Sequence, residues 1–255
     1  MKICYAGLVV AFLLVGCDQG HSLSQSKTDL TSKQAQADSA AHAADVADAF
    51  VSAFGQAAPV TVTRPADEAN GQPAQDLEYN PEALMLLSPG VWVLVSDGTI
   101  KDGAHVQFGS LAVHYLTKEN GKFKVVGQWL NVGGGAAFGQ VASWTVRHDL
   151  EQNPVIWTTS DDGGQGCEWT SHDWISLLPN KVQLSASNLL TSVGYTADPS
   201  QPGDKSWKTI GVLHPHPEQR AFDIVYTGKS NMTSHYQYVL DGYTDVNTAD
   251  NSVGC

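Results

Sequence analysis

The chain has 255 residues, with 14 Lys and Arg against 26 Asp and Glu, a formal net charge of −12, and 42% hydrophobic residues. That length can bury a sizeable core. The acidic balance, with no cluster of bases, excludes neutralisation of nucleic-acid phosphates or of an anionic lipid surface, and leaves a cationic protein or peptide as the favoured class of partner.

Met1 and Lys2 give a positive start, and Ile3 to Val15 is apolar apart from Tyr5, too short for the ~20 residues of a spanning helix. The pattern predicts an export signal over residues 1–16. Its end, Leu14-Val15-Gly16-Cys17, resembles the lipobox of bacterial lipoproteins: an aliphatic residue, two modest ones, then the cysteine whose sulfur takes the lipid. The resemblance implies cleavage before Cys17, lipidation of its thiol, and anchoring by acyl chains without a spanning helix. In Gram-negative lipoproteins an acidic residue directly after that cysteine prevents transfer to the outer membrane. Asp18 therefore implies residence on the periplasmic face of the inner membrane. In that oxidising compartment Cys167 and Cys255 form an even pair, since Cys4 leaves with the signal. A bridge between them would close a loop of roughly 90 residues and stabilise by ~4–5 kcal/mol on the chain-entropy account.

Residues 17–38 are polar and aperiodic and read as a flexible tether. Over 39–55, Ala43, Val46, Ala47, Phe50, Val51 and Phe54 fall at helical spacing, with Asp38 or Ser39 to cap the start and Gly55 the end. The polar face carries Asp45 and Asp48 and no base, which points the helix toward the protein body and away from anionic lipid.

Residues 56–255 read as a single all-β domain. Val60 to Thr63 predicts a strand and Pro65 to Pro81 a loop. From Ala83 onward, short runs rich in Val, Ile, Trp, Tyr and Thr alternate with Gly, Asn, Asp and Pro turns, giving about twelve short antiparallel strands. The equal spacing of Leu116, Leu178 and Leu240, each at the end of a long strand, suggests three four-stranded meander repeats in a sandwich, trefoil-like or propeller-like arrangement.

The signatures of the commonest hydrolases, zinc proteases and nucleotide-binding proteins are missing from the sequence. Gly133-Gly134-Gly135 is followed by neither a helix start nor a lysine and reads as a flexible connection between meanders. His214 and His216, two residues apart, share one face of an extended chain and are weak metal candidates. Two imidazoles alone do not make a site. His148-Asp149 and His172-Asp173 are sequence neighbours, which in a strand point to opposite faces and form no base and orienter pair. The oxygen-rich stretch Asp241, Asp245, Asn247, Asp250 and Asn251 could attract calcium but lacks the Gly and Glu of an EF-hand loop; turn chemistry explains it, and Asp161-Asp162-Gly163-Gly164, equally well. No cofactor is expected.

Acids and tryptophans gather on one Gly-rich stretch. Asp161, Asp162, Glu168, Trp169 and Trp174 are the candidate binding residues, aromatic anchors with a polar rim. Lysozyme inhibitors and immunity lipoproteins share this general profile of a tethered acidic β domain. The leading expectation is a periplasmic binding or inhibitor lipoprotein that recognises a cationic protein or peptide. An envelope hydrolase or metal-dependent enzyme, and a structural envelope scaffold, stand as alternatives.

Overall fold

The computed structural model describes residues 41–66, 73–201, 203, 205–229, 231–239 and 242–246. Cys17, Asp18, Cys255 and most of the oxygen-rich stretch near the C-terminus lie outside the described residues. The chain divides into Met1–Ala43, described only at 41–43, and the unit Ala44–Cys255. All that follows concerns the second unit and the three residues, 41–43, that begin its helix.

A helix, α1, spans 41–54 and stops at Gly55, whose φ of +78° is open to glycine and whose N–H donates to the Val51 carbonyl at 2.8 Å. Its buried stripe is Val46, Ala49, Phe50, Ala53 and Phe54. The expected Ala43, Ala47 and Val51 instead face outward.

The first sheet is formed by β1 (Val60–Arg64), β2 (Gln75–Ser88), β3 (Val91–Thr99), β4 (Ser110–Glu119) and β5 (Lys122–Trp129). Next come two short strands, β6 (Gly135–Ala136) and β7 (Gln140–Val141), which pair only with each other. The second sheet is formed by β8 (Ser143–Arg147), β9 (Val155–Gly164), β10 (Cys167–Leu178), β11 (Lys181–Tyr195), β12 (Trp207–His216), β13 (Ala221–Gly228), β14 (Met232–Val239) and β15 (Gly242–Asp245). Within each sheet every strand pairs antiparallel with its sequence neighbour. The all-β, antiparallel meander class with one preceding helix is as expected. The partition differs: two meanders of five and eight strands replace three of four. Leu116 and Leu178 end up on different sheets, so their spacing reflects no shared unit, and Leu240 lies outside the described residues.

The layers follow from which faces are apolar. One face of the first sheet, through Leu77, Tyr79, Leu94, Ala112 and Leu116, packs under Ala49 and Phe50 of α1. The other, through Val93, Val95, Leu111, Val113 and Tyr115, meets Ile156, Ile175, Leu177 and Val182 of the second sheet. Strand β4 sits between both layers, and its first seven residues are all buried, as in a strand covered on both faces. The second sheet curls on its far side into a half-barrel around Trp157, Trp174, Phe222, Ile224 and Tyr226. Trp174 lies 5.1 Å from the Phe222 ring and 4.7 Å from Tyr243, which brings β15 back beside the middle of the sheet.

Prolines explain two places where strands run past their partners. The predicted loop Pro65 to Pro81 holds instead the first part of β2, and Pro81 comes just after Tyr79, where β1 ends its pairing. Pro215 of β12 likewise lies beyond Ile210, the last residue paired with β11. A residue without N–H fits where no ladder partner needs one.

Candidate binding cleft

The two sheets pack tightly through their middles and part at one end, leaving a cleft of about 1020 Å³. The first sheet and its loops contribute Arg64, Phe108, Ser110 and Asn131, and the second sheet contributes Asp162, Trp169, Asp173 and Asn188. The Gly-rich segment 131–135 forms one wall. The Leu111 N–H donates to the Gly133 carbonyl at 2.9 Å, and the Val132 N–H donates back to the Leu111 carbonyl at 3.0 Å. Across the gap, the Asp173 carboxylate accepts the Gly134 N–H at 2.8 Å on one oxygen and the Asn188 N–H at 3.2 Å on the other. This glycine run is therefore a fixed wall of the cleft, where the sequence suggested a flexible connection. A Cβ at Gly134 would meet Leu111 Cδ1 at 2.8 Å, and its φ is +74°, so glycine fits on both counts.

At the mouth, the Asp162 carboxylate accepts the Gly163 N–H at 2.7 Å and pairs with His105 Nε2 at 3.0 Å. The His105 ring lies edge-on to Phe138, 4.9 Å away. Phe138 has a φ of +60°, unusual for a bulky residue. Backbone bonds fix its surroundings: the Gly139 N–H donates to the Gln107 carbonyl at 2.7 Å and the Ile100 N–H to the Gly139 carbonyl at 2.8 Å. On the opposite wall, the Arg64 guanidinium donates to the Gln75 side-chain oxygen and to the Phe108 carbonyl. Tyr79, its phenol pushed up to about 12 by burial, donates to the Asn131 side chain at 3.1 Å.

Four of the five candidate binding residues come together, and Trp174 lies apart. Asp161-Asp162-Gly163-Gly164 is strand, and the turn falls on Gln165 and Gly166, with φ of +53° and +83°. Asp161, Asp162, Glu168 and Trp169 border a second, smaller cleft of about 540 Å³ with Thr170, Ser192 and Lys208, and of these Asp162 and Trp169 also line the cleft between the sheets. Trp174 belongs to neither: it is fully buried, and its indole N–H donates to Glu151 at 3.0 Å. A stretch of mixed acids and aromatics carries no sign of which residues a pleat turns inward. Asp173, Asn131, His105 and Arg64 were not foreseen, because only the tertiary fold brings segments 64, 105, 131 and 173 together.

The other candidates lie elsewhere. His172 is nearly buried against Trp157, donates from Nδ1 to the Thr158 carbonyl at 2.7 Å, and meets Thr191 Oγ1 through Nε2 at 2.6 Å. Burial lowers its pKa, and both nitrogens are structurally engaged. Asp149 is taken up by Arg147. On the second sheet, His216 and His235 flank the two oxygens of Asp223, and hydrogen bonding, from His235 first, holds that carboxyl below its usual range. His214 is exposed. Among the described residues no group of three donors stands at metal-ligand geometry, and no helix is long and apolar enough to cross a membrane. No protein-family model, curated protein or solved structure matches this chain.

Proposed function

We propose that this chain is a lipid-anchored binding lipoprotein of inhibitor or immunity type, which holds a cationic segment of a protein or peptide in the cleft between its sheets. One observation carries the reading. The Asp162 carboxylate, with its side chain only 19% exposed, stands beside Trp169 at the mouth of a cleft that carries two acids, Asp162 and Asp173, against one base, Arg64. A partly desolvated carboxylate next to an indole suits a lysine or arginine side chain, which can pair with the one and stack on the other. Arg64 is already engaged through Gln75 and the Phe108 carbonyl. A hydrolase built on His214 or His216 has no such cleft, since neither residue lines it.

The leader supports the address: export through residues 1–16, a lipid on Cys17, and Asp18 keeping the protein on the periplasmic face of the inner membrane. An oxidising compartment fits a bridge between Cys167 and Cys255.

Titrating the full-length protein with octalysine, followed by tryptophan fluorescence, tests the binding. Affinity should fall steeply between 0.1 M and 1 M salt, where the Debye length shrinks from ~10 Å to ~3 Å. Asp162→Asn should weaken it about tenfold, whereas Asp45→Asn with Asp48→Asn on α1 should leave it unchanged. Absent or salt-indifferent binding overturns the proposal.

A further inference from the structure

Strand β8 covers only part of β9. Their pairing runs from Arg147 opposite Val155 to Ser143 opposite Thr159 and stops, while β9 remains paired with β10 as far as Gly164. Among the described residues, Ser160 to Gly164 thus pair with a strand on one side only. Upstream of Ser143 the chain turns away: the Ala142 N–H donates to the Gly134 carbonyl at 2.8 Å, and Gln140-Val141 pairs with β6.

The phase of the open edge can be read from its last paired residue. The Thr159 carbonyl accepts the Ser143 hydroxyl at 3.1 Å, so the peptide groups of Thr159 face β8. In an antiparallel ladder this direction recurs every second residue, which turns the peptide groups of Asp161 and Gly163 toward the open side. The Gly163 N–H is held for the present by its neighbour Asp162. The same pleat sends the side chains of Ser160 and Asp162 into the cleft.

Where β2 and β12 run past a partner, each carries proline beyond the point where pairing stops, Pro81 in β2 and Pro215 in β12. Proline cannot extend a ladder and protects such an edge. The β9 edge, Ser-Asp-Asp-Gly-Gly, has no proline and no bulky side chain. Its paired acids repel the same edge on a second copy and attract a cationic strand.

From these observations, and resting on the binding reading above, we infer that the cationic segment binds as an extended strand. It pairs antiparallel with β9 at residues 160–164 and continues the line of β8. Backbone hydrogen bonds supply affinity independent of sequence, and alternate side chains supply selectivity. Every second side chain of the added strand enters the cleft, so the partner is a segment with lysine or arginine at alternate positions. Asp162 meets the first such cation by exchanging the Gly163 N–H for it, which frees that N–H for the new ladder.

The test uses the full-length protein and three eight-residue peptides of alternating Lys and Thr: one unmodified, one N-methylated on every Lys, one N-methylated on every Thr. Charge is the same in all three, and only one methylated set places its methyl groups toward β9. The unmodified peptide should bind and slow amide exchange at Asp161 and Gly163. One methylated peptide should bind at least tenfold more weakly, and the other should bind like the unmodified one. On the protein side, Asp161→Pro should weaken the unmodified peptide about tenfold and Asp161→Asn much less. If octalysine binds but the two methylated peptides behave alike, strand addition is wrong and the binding reading stands. If neither octalysine nor any alternating peptide binds, the binding reading itself falls.

Discussion

His114 illustrates how much a single buried residue can set. It sits in β4 beneath α1, fully buried, with its ring edge-on to Phe54 at 4.8 Å and neither ring nitrogen hydrogen-bonded. Burial lowers its pKa from 6.5 to about 4. The unfolded chain therefore takes up the proton first as pH falls. Stability is unaffected above about 6.5, declines between 6.5 and 4, and levels off below; the loss amounts to about 3 kcal/mol. His172, also lowered by burial, adds in the same direction. Urea denaturation at pH 7.5 and 4.5 should show a smaller difference for His114→Phe than for the parent. The two tryptophans Trp169 and Trp174 look alike in the sequence and should behave oppositely. Trp174→Ala empties the centre of the half-barrel and leaves Glu151 without its indole, at a cost of about 3–5 kcal/mol in a thermal melt. Trp169→Ala should change the melt little and weaken octalysine binding. Residue types could nominate both indoles, but which face of β10 is covered by the half-barrel is decided by tertiary packing.

Elements were more legible than their boundaries. The helix, its glycine stop and the strands around Val60, Val91, Trp144, Val155, Trp207 and Phe222 follow from apolar periodicity and turn residues, which are local physics. The beginning of β2 escaped because Pro81 reads as a breaker until it is known that β1 has already ended. The helix stripe lies on Ala49 and Ala53, residues too small to announce a buried face, while Val51 stays 43% exposed. The rim of the cleft gives a sharp test of element packing. A Cβ on Gly109 would stand 2.5 Å from the Gln140 carbonyl oxygen, a backbone atom with little room to retreat. Gly109→Ala should therefore shift the segment that carries Phe108 and destabilise by about 1–3 kcal/mol, visible as a lowered urea midpoint.

At the scale of the whole molecule, the class of fold was legible and the count of sheets was not, because equal spacing of leucines cannot reveal where a meander leaves one sheet for the next. The proposed lipid attachment makes its own prediction: Cys17→Ser should abolish labelling by a radioactive fatty acid, and Asp18→Ser should move the protein toward the outer-membrane fraction of a Gram-negative host. If Cys167 and Cys255 are bridged as proposed, reduction should lower the melting temperature by several degrees, at roughly 2–4 °C per kcal/mol for a domain of this size. The unbroken order of neighbouring strands has a kinetic consequence as well. Each hairpin closes over a short stretch of chain, so the entropy of loop closure is met in small instalments. The face where Val93, Leu111 and Val113 meet Ile156, Ile175 and Leu177 is different, since it joins segments far apart in sequence. In stopped-flow refolding, truncating Leu111 should accelerate unfolding more than it slows folding. The five strands under α1 and the eight that curl around Trp174 would then form as separate ribbons before they clasp, and the cleft would take shape only in that final step.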